Sequence, residues 1–229
     1  MKTMKFTAFA MALLMMVGCQ TKQGTGTLAG GAAGAVVGGI IGNIIGKDSK
    51  ATAIGAAIGS AVGAGAGTII GKRMDNVAAE AAAQVQNATI EEVTDVNGLK
   101  AIKVTFDTGI LFASNKAVLN DNSKTELARF SKVLVKNPDI CIDVYGHTDS
   151  TGNDGINIPL SNNRAQAVVN FLKSCGVNAG QFKYVVGKGS EEPVADNNTK
   201  EGRQANRRVE VYLYAGQEMI DAAYSETVQ

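Results

Sequence analysis

The chain has 229 residues, of which 45% are hydrophobic, and 22 Lys and Arg face 21 Asp and Glu for a formal net charge of +1. That length accommodates one good core plus accessory segments, and hardly two enzyme-sized domains. So even a charge balance offers no basic stripe to displace counterions from a polyanion, which argues against nucleic acid as a partner.

The first residues, Met1-Lys2-Thr3-Met4-Lys5, precede an uncharged apolar run from Phe6 to Val17. This is the basic region and short apolar core of a secretory signal, too short to span a bilayer by itself. The run ends at Met16-Val17-Gly18-Cys19-Gln20, which resembles the lipobox of bacterial lipoproteins, with Met16 where Leu is usual. The resemblance implies a signal peptide over 1–18, an acylated Cys19 as the mature first residue, and a short linker to the lipid anchor over 19–27. Several acyl chains, palmitate among them, make such an anchor durable where one chain attaches reversibly. Gln20 in place of Asp implies sorting to the outer membrane. The alternative is an ordinary secretory signal whose cysteine is incidental. Loss of 1–18 removes Lys2 and Lys5 and leaves one more acidic than basic side chain.

Between Gly24 and Gly71 the composition shifts to Gly, Ala, Ile and Val. Glycines recur every fourth residue, at Gly30, Gly34, Gly38, Gly42 and Gly46, then at Gly55, Gly59, Gly63, Gly67 and Gly71. That spacing lines each series along one helix face, where missing side chains let a second helix approach closely. Lys47, Asp48, Ser49 and Lys50 separate the two series, so 28–71 is predicted to be an antiparallel helical hairpin with a polar tip. Each arm of about 19 residues would be roughly 28 Å long, close to the thickness of a hydrocarbon core. Glycine costs about 1 kcal/mol per helical residue relative to Ala, so the hairpin needs close packing or lipid to compensate. A flexible low-complexity linker is the competing reading. The segment resembles the glycine zipper of some outer-membrane lipoproteins, through which homo-oligomerisation would occur.

Residues 72–87, rich in Ala, Gln and Glu, are predicted to be a helical linker. From residue 88 the pattern becomes β. Thr89–Val96 and Leu99–Phe106 flank Asn97-Gly98, the pair that best fits a type I′ hairpin turn. A helix is predicted from Val118 to Lys136 on the sector shared by Leu119, Leu127, Phe130 and Leu134, ended by Pro138. A strand follows at Ile140–Gly146, then a polar loop from His147 to Gly155 and a helix over Asn157–Cys175. Further strands are read at Phe182–Val186 and at Arg208–Tyr214, where Val209, Val211 and Leu213 point inward. Such alternation predicts an α+β domain, a sheet layered with helices in an α/β sandwich, over 88–215, with a tail at 216–229.

At 100° per residue, Arg164 falls among Leu160, Ala167, Val168 and Phe171 on the apolar stripe of the second helix, while Val169 falls opposite. A core-directed guanidinium needs an anion or several acceptors, because an unpaired buried charge is prohibitively costly. The chemically suitable neighbour is the loop Gly146-His147-Thr148-Asp149-Ser150-Thr151-Gly152. Two readings stay open on spacing alone. Asp149 and Arg164 form a structural pair, or they present opposite charges to a zwitterion whose carboxylate Arg grips and whose ammonium Asp accepts.

Four ordered blocks resemble the OmpA-like C-terminal domain family. They are Ile142-Asp143-Val144-Tyr145-Gly146-His147-Thr148-Asp149-Ser150, Asn157-Ile158-Pro159-Leu160-Ser161-Asn162-Asn163-Arg164-Ala165, Gly187-Lys188-Gly189 with Pro193, and Glu201-Gly202-Arg203 with Asn206-Arg207-Arg208-Val209-Glu210. The resemblance covers roughly half of the chain and implies a β-α-β-α-β-β order and non-covalent binding of peptidoglycan. It implies that Arg164 takes the carboxylate of diaminopimelate and Asp149 its free ammonium, with Thr148, Asn157 and Leu160 lining the pocket. Asp107 is expected to add an acidic edge; Arg207 and Arg208 match the family too, and bracing of the sheet weighs at least equally with a part in the site. Pro159 and Asn162-Asn163 are departures, the proline being tolerated in a first helical turn. The whole then implies a periplasmic wall-binding domain on an outer-membrane lipid anchor, joining membrane to wall.

No cofactor or metal is expected, since Cys141 and Cys175 lack ligand spacing. They are read as small buried apolar residues, although an oxidising periplasm would let them pair. Ser150 near His147 has no third orienting group, and Gly187-Lys188-Gly189-Ser190 lacks the full phosphate-loop pattern, so no enzyme is expected. A different non-enzymatic reading makes the glycine hairpin the working part, a membrane-embedded oligomer or pore component that the wall-binding domain merely positions.

Overall fold

A computed structural model describes Val36–Gly38, 64–112 and 115–227. The signal peptide, Cys19 and most of the glycine hairpin lie outside these residues. The chain divides into a unit over Met1–Gly31 and one over Ala32–Gln229, and only the second contains described residues.

Within it run β1 (Val36–Gly38), α1 (Ala64–Gln84), β2 (Ala88–Thr94), β3 (Lys100–Asp107), α2 (Thr108–Leu111) and α3 (Asp121–Lys136). They are followed by β4 (Ile140–Gly146), α4 (Asp154–Ser174), β5 (Phe182–Gly187), α5 (Lys200–Asn206), β6 (Arg208–Ala215) and α6 (Gln217–Thr227). The strands form one mixed sheet in the order β1-β2-β3-β6-β4-β5. β6 lies antiparallel between β3 and β4, and β4 runs parallel to β5 through the α4 crossover. This is the α+β fold expected, with the short α5 inserted between the last two strands.

Two expectations change. Val36–Gly38 is a strand pairing in parallel with β2 and not part of a helix; β-branched Val36 and Val37 suit that conformation. The β2–β3 connection is a three-residue loop, not a type I′ turn. Asp95 and Leu99 close it by a backbone hydrogen bond of 2.9 Å, the Gly98 N–H donates to the Asp95 carbonyl, and Gly98 alone takes a positive φ, of 77°. The buried Asp95 carboxylate decides the outcome by accepting from the N–H groups of Asn97 (2.9 Å) and Leu99 (2.8 Å). A type I turn closed by a left-handed glycine satisfies those donors, and type I′ needs positive φ at both central residues.

Strand alternation gives the sheet two unlike faces. Ile102, Val104 and Phe106 of β3, Val209, Val211 and Leu213 of β6, and Ile142 and Val144 of β4 lie wholly buried under the helices. Phe106 meets Phe130 of α3 edge to face at 5.6 Å. On α4, Val168 is buried as the wheel predicts, but Leu160, Ala167 and Phe171 are only half-buried, and the buried face, with Ala165 and Leu172, is turned toward Val169, which is buried too. Its burial on the other sector follows from α4 packing against α3 as well as the sheet. Cys141 is buried, Cys175 half-buried, and neither is in a disulfide.

The segment read as a linker is part of the core. Ala66, Ile70, Met74, Val77, Ala78, Ala81 and Val85 form a continuous buried seam on α1, the i, i+4, i+7 spacing of one helix face. Arg73 pairs with Asp139 at 2.6 Å, Glu80 with Lys136 and Asp75 with Lys100, while the Glu126 carboxylate accepts from the N–H groups of Gln86 and Asn87 where the helix ends. The residues read as a tail form α6, whose Met219, Ile220 and Ala223 are buried, and it packs on α1. Met74→Ala in the full chain is expected to cost about 2–5 kcal/mol in urea unfolding, the range for emptying a core site, whereas a linker helix would show no change.

Candidate functional site

The ends of β3, β4 and β6 meet the first turns of α4 along one rim of the sheet. α4 reaches that rim because glycines leave room for its backbone. A Cβ on Gly146 would lie 2.1 Å from the Ser161 carbonyl oxygen, and one on Gly187 would lie 2.2 Å from the Asn162 nitrogen. The Ser161 hydroxyl accepts from the Gly189 N–H at 2.9 Å and donates to the Ile158 carbonyl, pinning the helix to the β5 loop. Arg164 follows one turn later.

Here a cleft of about 830 Å³ opens, lined by Thr148, Asp149, Asn157, Leu160, Arg164 and Arg207, with Phe112 and Thr108 across from them. Five of the six residues expected at the site are therefore brought together. Asp107 is not among them. It ends β3 on the polar face of the sheet, opposite Arg208, where its carboxylate caps α2 by accepting from the Gly109 N–H (2.6 Å) and from Gln204 (3.2 Å). It lines a separate cavity of about 520 Å³ with Arg208 and Glu210. The next residue, Thr108, turns into the cleft.

Arg164 is 3% exposed. Its Nε donates to the Lys116 carbonyl at 3.1 Å and its guanidinium lies over the Phe112 ring, 5.5 Å from the centroid. Among the described residues no carboxylate pairs with it. Burial and the like charge of Arg207 lower its pKa, against the pull of Asp149. Asp149 is held elsewhere: Arg207 Nη1 donates to Oδ2 at 2.6 Å and the Thr151 N–H to Oδ1 at 2.8 Å. Burial would raise the Asp149 pKa, but the Arg207 and Thr151 hydrogen bonds outweigh it and keep the carboxylate ionised below the usual range. Asn157 braces the loop by donating to the Thr151 carbonyl (3.1 Å), and the buried Thr148 hydroxyl, on the cleft wall, has no hydrogen-bond partner.

Of the two arginines left open between bracing the sheet and a part in the site, Arg207 enters the cleft and Arg208 braces. The pair carried a usable signal, because neighbours at a strand entry point to opposite faces. Two hydrogen bonds from Thr108 to the Arg207 carbonyl, each 2.9 Å, fix its backbone. Asn206, fully buried, ties down the loop before α5 by accepting from the N–H groups of Val194 and Ala195.

Behind the cleft loop the polar face of β4 and β6 carries a buried ladder. The Glu210 carboxylate accepts from Arg208 and Tyr212, each at 2.7 Å, and lies 3.5 Å from His147. Burial would raise the Glu210 pKa, but His147 and Arg208 together hold it well below the usual carboxylate range. Asp143 is pushed up to about 6 by burial, against hydrogen bonds from Tyr214 (3.0 Å) and the Tyr184 N–H (3.2 Å).

Residues 111–207 match the OmpA family and residues 1–75 match the YMGG-like Gly-zipper family. The chain carries an OmpA family domain. It is 43% identical over 104 residues to the peptidoglycan-binding protein ArfA of Mycobacterium tuberculosis, a match covering 45% of this chain and 32% of that protein. It is 36% identical over 106 residues to the outer-membrane lipoprotein YfiB of Pseudomonas aeruginosa, covering 46% of this chain and 62% of YfiB. The matches thus span between about a third and under two thirds of those relatives. Among solved structures, the cell wall anchor of the T6SS from Pseudomonas aeruginosa superposes with a TM-score of 0.51 at 31% identity, covering 62% of this chain and 97% of that one. A MotB-like protein from Desulfovibrio vulgaris, at 22% identity and a TM-score of 0.52 over 66% of this chain and 91% of its own, shares the fold.

The two buried acids give opposite pH dependences. Between pH of about 4 and 6 native Asp143 keeps a proton that the unfolded chain has lost, so its contribution to stability falls as pH rises through that window. Glu210 stabilises above its unfolded value and loses that contribution as pH drops below about 4.5. In urea unfolding from pH 4 to 7, Asp143→Asn is expected to remove a downward slope worth on the order of 1–3 kcal/mol, and an unchanged slope would show that Asp143 ionises normally.

Proposed function

We propose that this protein is a lipid-anchored outer-membrane protein whose OmpA family domain binds peptidoglycan non-covalently and tethers the membrane to the wall. Arg164 takes the carboxylate of stem-peptide diaminopimelate, Asp149 accepts from its free ammonium, and Asn157 and Leu160 shape the wall of the site. The observation that carries this reading is a buried guanidinium without a paired acid, opening onto a cleft where a carboxylate stands across from it. Such a charge is stabilised by a ligand carboxylate, which a guanidinium grips through two parallel hydrogen bonds.

Support of another kind comes from the relatives. ArfA is a peptidoglycan-binding protein and YfiB an outer-membrane lipoprotein, and both are similar to nearly half of this chain. The Gly-zipper match over 1–75 covers Cys19, so on this proposal the anchor is Cys19 acylated in the outer membrane, with the glycine-rich segment packed beside it in lipid or against another copy. Among the described residues no helix is long and apolar enough to cross a membrane, and no group of His, Cys, Asp or Glu is placed to hold a metal. The role proposed is binding without catalysis, facing the periplasm.

The full chain in detergent should pellet with purified sacculi. Asp149→Ala and Arg164→Ala are each expected to reduce the pelleted fraction at least tenfold while leaving the circular dichroism spectrum unchanged. Undiminished pelleting by both folded variants would remove this cleft as the binding site.

A further inference from the structure

The charges around the cleft do not cancel. Arg207 and Asp149 form an ion pair at 2.6 Å, and Arg207 keeps about a third of its side chain in solvent. Arg164 has neither advantage. It is buried, and its described partners are a carbonyl oxygen and the face of an aromatic ring, both uncharged. One positive charge therefore sits unneutralised on the wall of the empty cleft, beside low-dielectric packing that strengthens its field.

The guanidinium has donors only, so the chemistry of the group that meets it is restricted. A carboxylate supplies two acceptor oxygens and the missing negative charge. A carboxamide supplies one acceptor oxygen, turns an NH2 toward further N–H donors, and leaves the buried charge as it was. The neighbouring positive Arg207 makes this worse, because among the described residues lining the cleft Asp149 is the one acid, and it is already engaged by Arg207.

We infer that the cleft reads the amidation state of its ligand, accepting a diamino acid with a free carboxylate and rejecting the same residue as its carboxamide. This rests on the diaminopimelate reading above and adds a selectivity to it. Arg164 is the residue that discriminates, and a wall whose diaminopimelate is amidated would hold this protein weakly even at full density of stem peptides. Loss of a hydrogen-bonded charge partner at a buried site corresponds to roughly 10- to 100-fold in affinity.

The test uses the full chain in detergent micelles and two soluble muropeptides, identical except that the diaminopimelate carboxyl is free in one and amidated in the other. Calorimetric titration should show the free acid binding at least tenfold more tightly. In Arg164→Gln, whose side chain can both donate and accept, the free acid should weaken and the ratio fall close to one. Equal affinity of the unsubstituted chain for both muropeptides would overturn the selectivity and leave the wall-binding function standing. A preference that persists at full size in Arg164→Gln would also overturn it, by assigning discrimination to another group. Binding of neither peptide by the folded chain would overturn this inference and the proposed function together.

Discussion

A helix can deliver a charged side chain to the rim of a sheet only if its backbone comes closer to the strands than ordinary side chains permit, and that close approach is the constraint on which the rest of the site depends. Gly146 and Gly187 end β4 and β5, and in both cases an added Cβ would fall inside the backbone of α4 at Ser161 and Asn162. The clash is with main-chain atoms, which cannot rotate away as a flexible side chain would. Once α4 is seated there, the Ser161 hydroxyl locks the register through Gly189, and the helical repeat carries Arg164 into the cleft with no further adjustment. The location of the charge is thus set by two residues that carry no functional group at all.

The same rim shows how one strand entry serves two tasks. Arg207 and Arg208 are adjacent and chemically identical, yet the two-residue period of a strand turns them to opposite faces. Arg207 reaches Asp149 in the cleft, and Arg208 reaches Glu210 in the buried ladder behind it. The ladder is costly in desolvation, and its acids are hydrogen-bonded: Glu210 to Arg208 and Tyr212, with His147 3.5 Å away, and Asp143 to Tyr214 and Tyr145. His147 leads directly into Thr148 and Asp149, and its N–H donates to the Arg208 carbonyl at 2.9 Å. A rigid network behind the loop therefore fixes the backbone from which the cleft side chains project, which suits recognition by preorganised groups.

What could be read from the sequence was what periodicity controls. Ile140–Gly146 has the bounds expected, the inward face of β6 is Val209, Val211 and Leu213, and Arg164 lies within the buried face of its helix because a 100° step places it there. What escaped was what local chemistry or tertiary packing decides. Asn97-Gly98 favours a two-residue turn, but the Asp95 carboxylate captures two backbone donors and selects a longer one. α1 buries a seam built largely of Ala, and so small a side chain adds little to a hydropathy pattern even where it is fully enclosed; Ile70, Met74 and Val77 mark the seam only when counted at helical spacing. Asp107 has the residue type and strand position expected of a site acid, yet a nearer claim on its carboxylate, the exposed N–H of Gly109, turns it to cap α2.

The incorporation of α1 into the core bears on how a tether built this way would carry load. Residues 72–87 do not form a free spacer, since their helix is fastened by a buried seam and by pairing of Arg73, Asp75 and Glu80 to the rest of the domain. On the proposed anchoring at Cys19, the reach between membrane and domain has to come from residues before Val36, where β1 joins the sheet, at most about 60 Å if that stretch were fully extended. Tension would then enter at β1, the edge strand beside β2, and leave through ligand held at Arg164. Between those points run the strands from β2 to β4 and the α4 contact at Gly146, so the route of the force is the folded core itself. A domain used in this way gains from burying its first helix, because losing β1 and then α1 would lengthen the tether before the ligand contacts had borne any load.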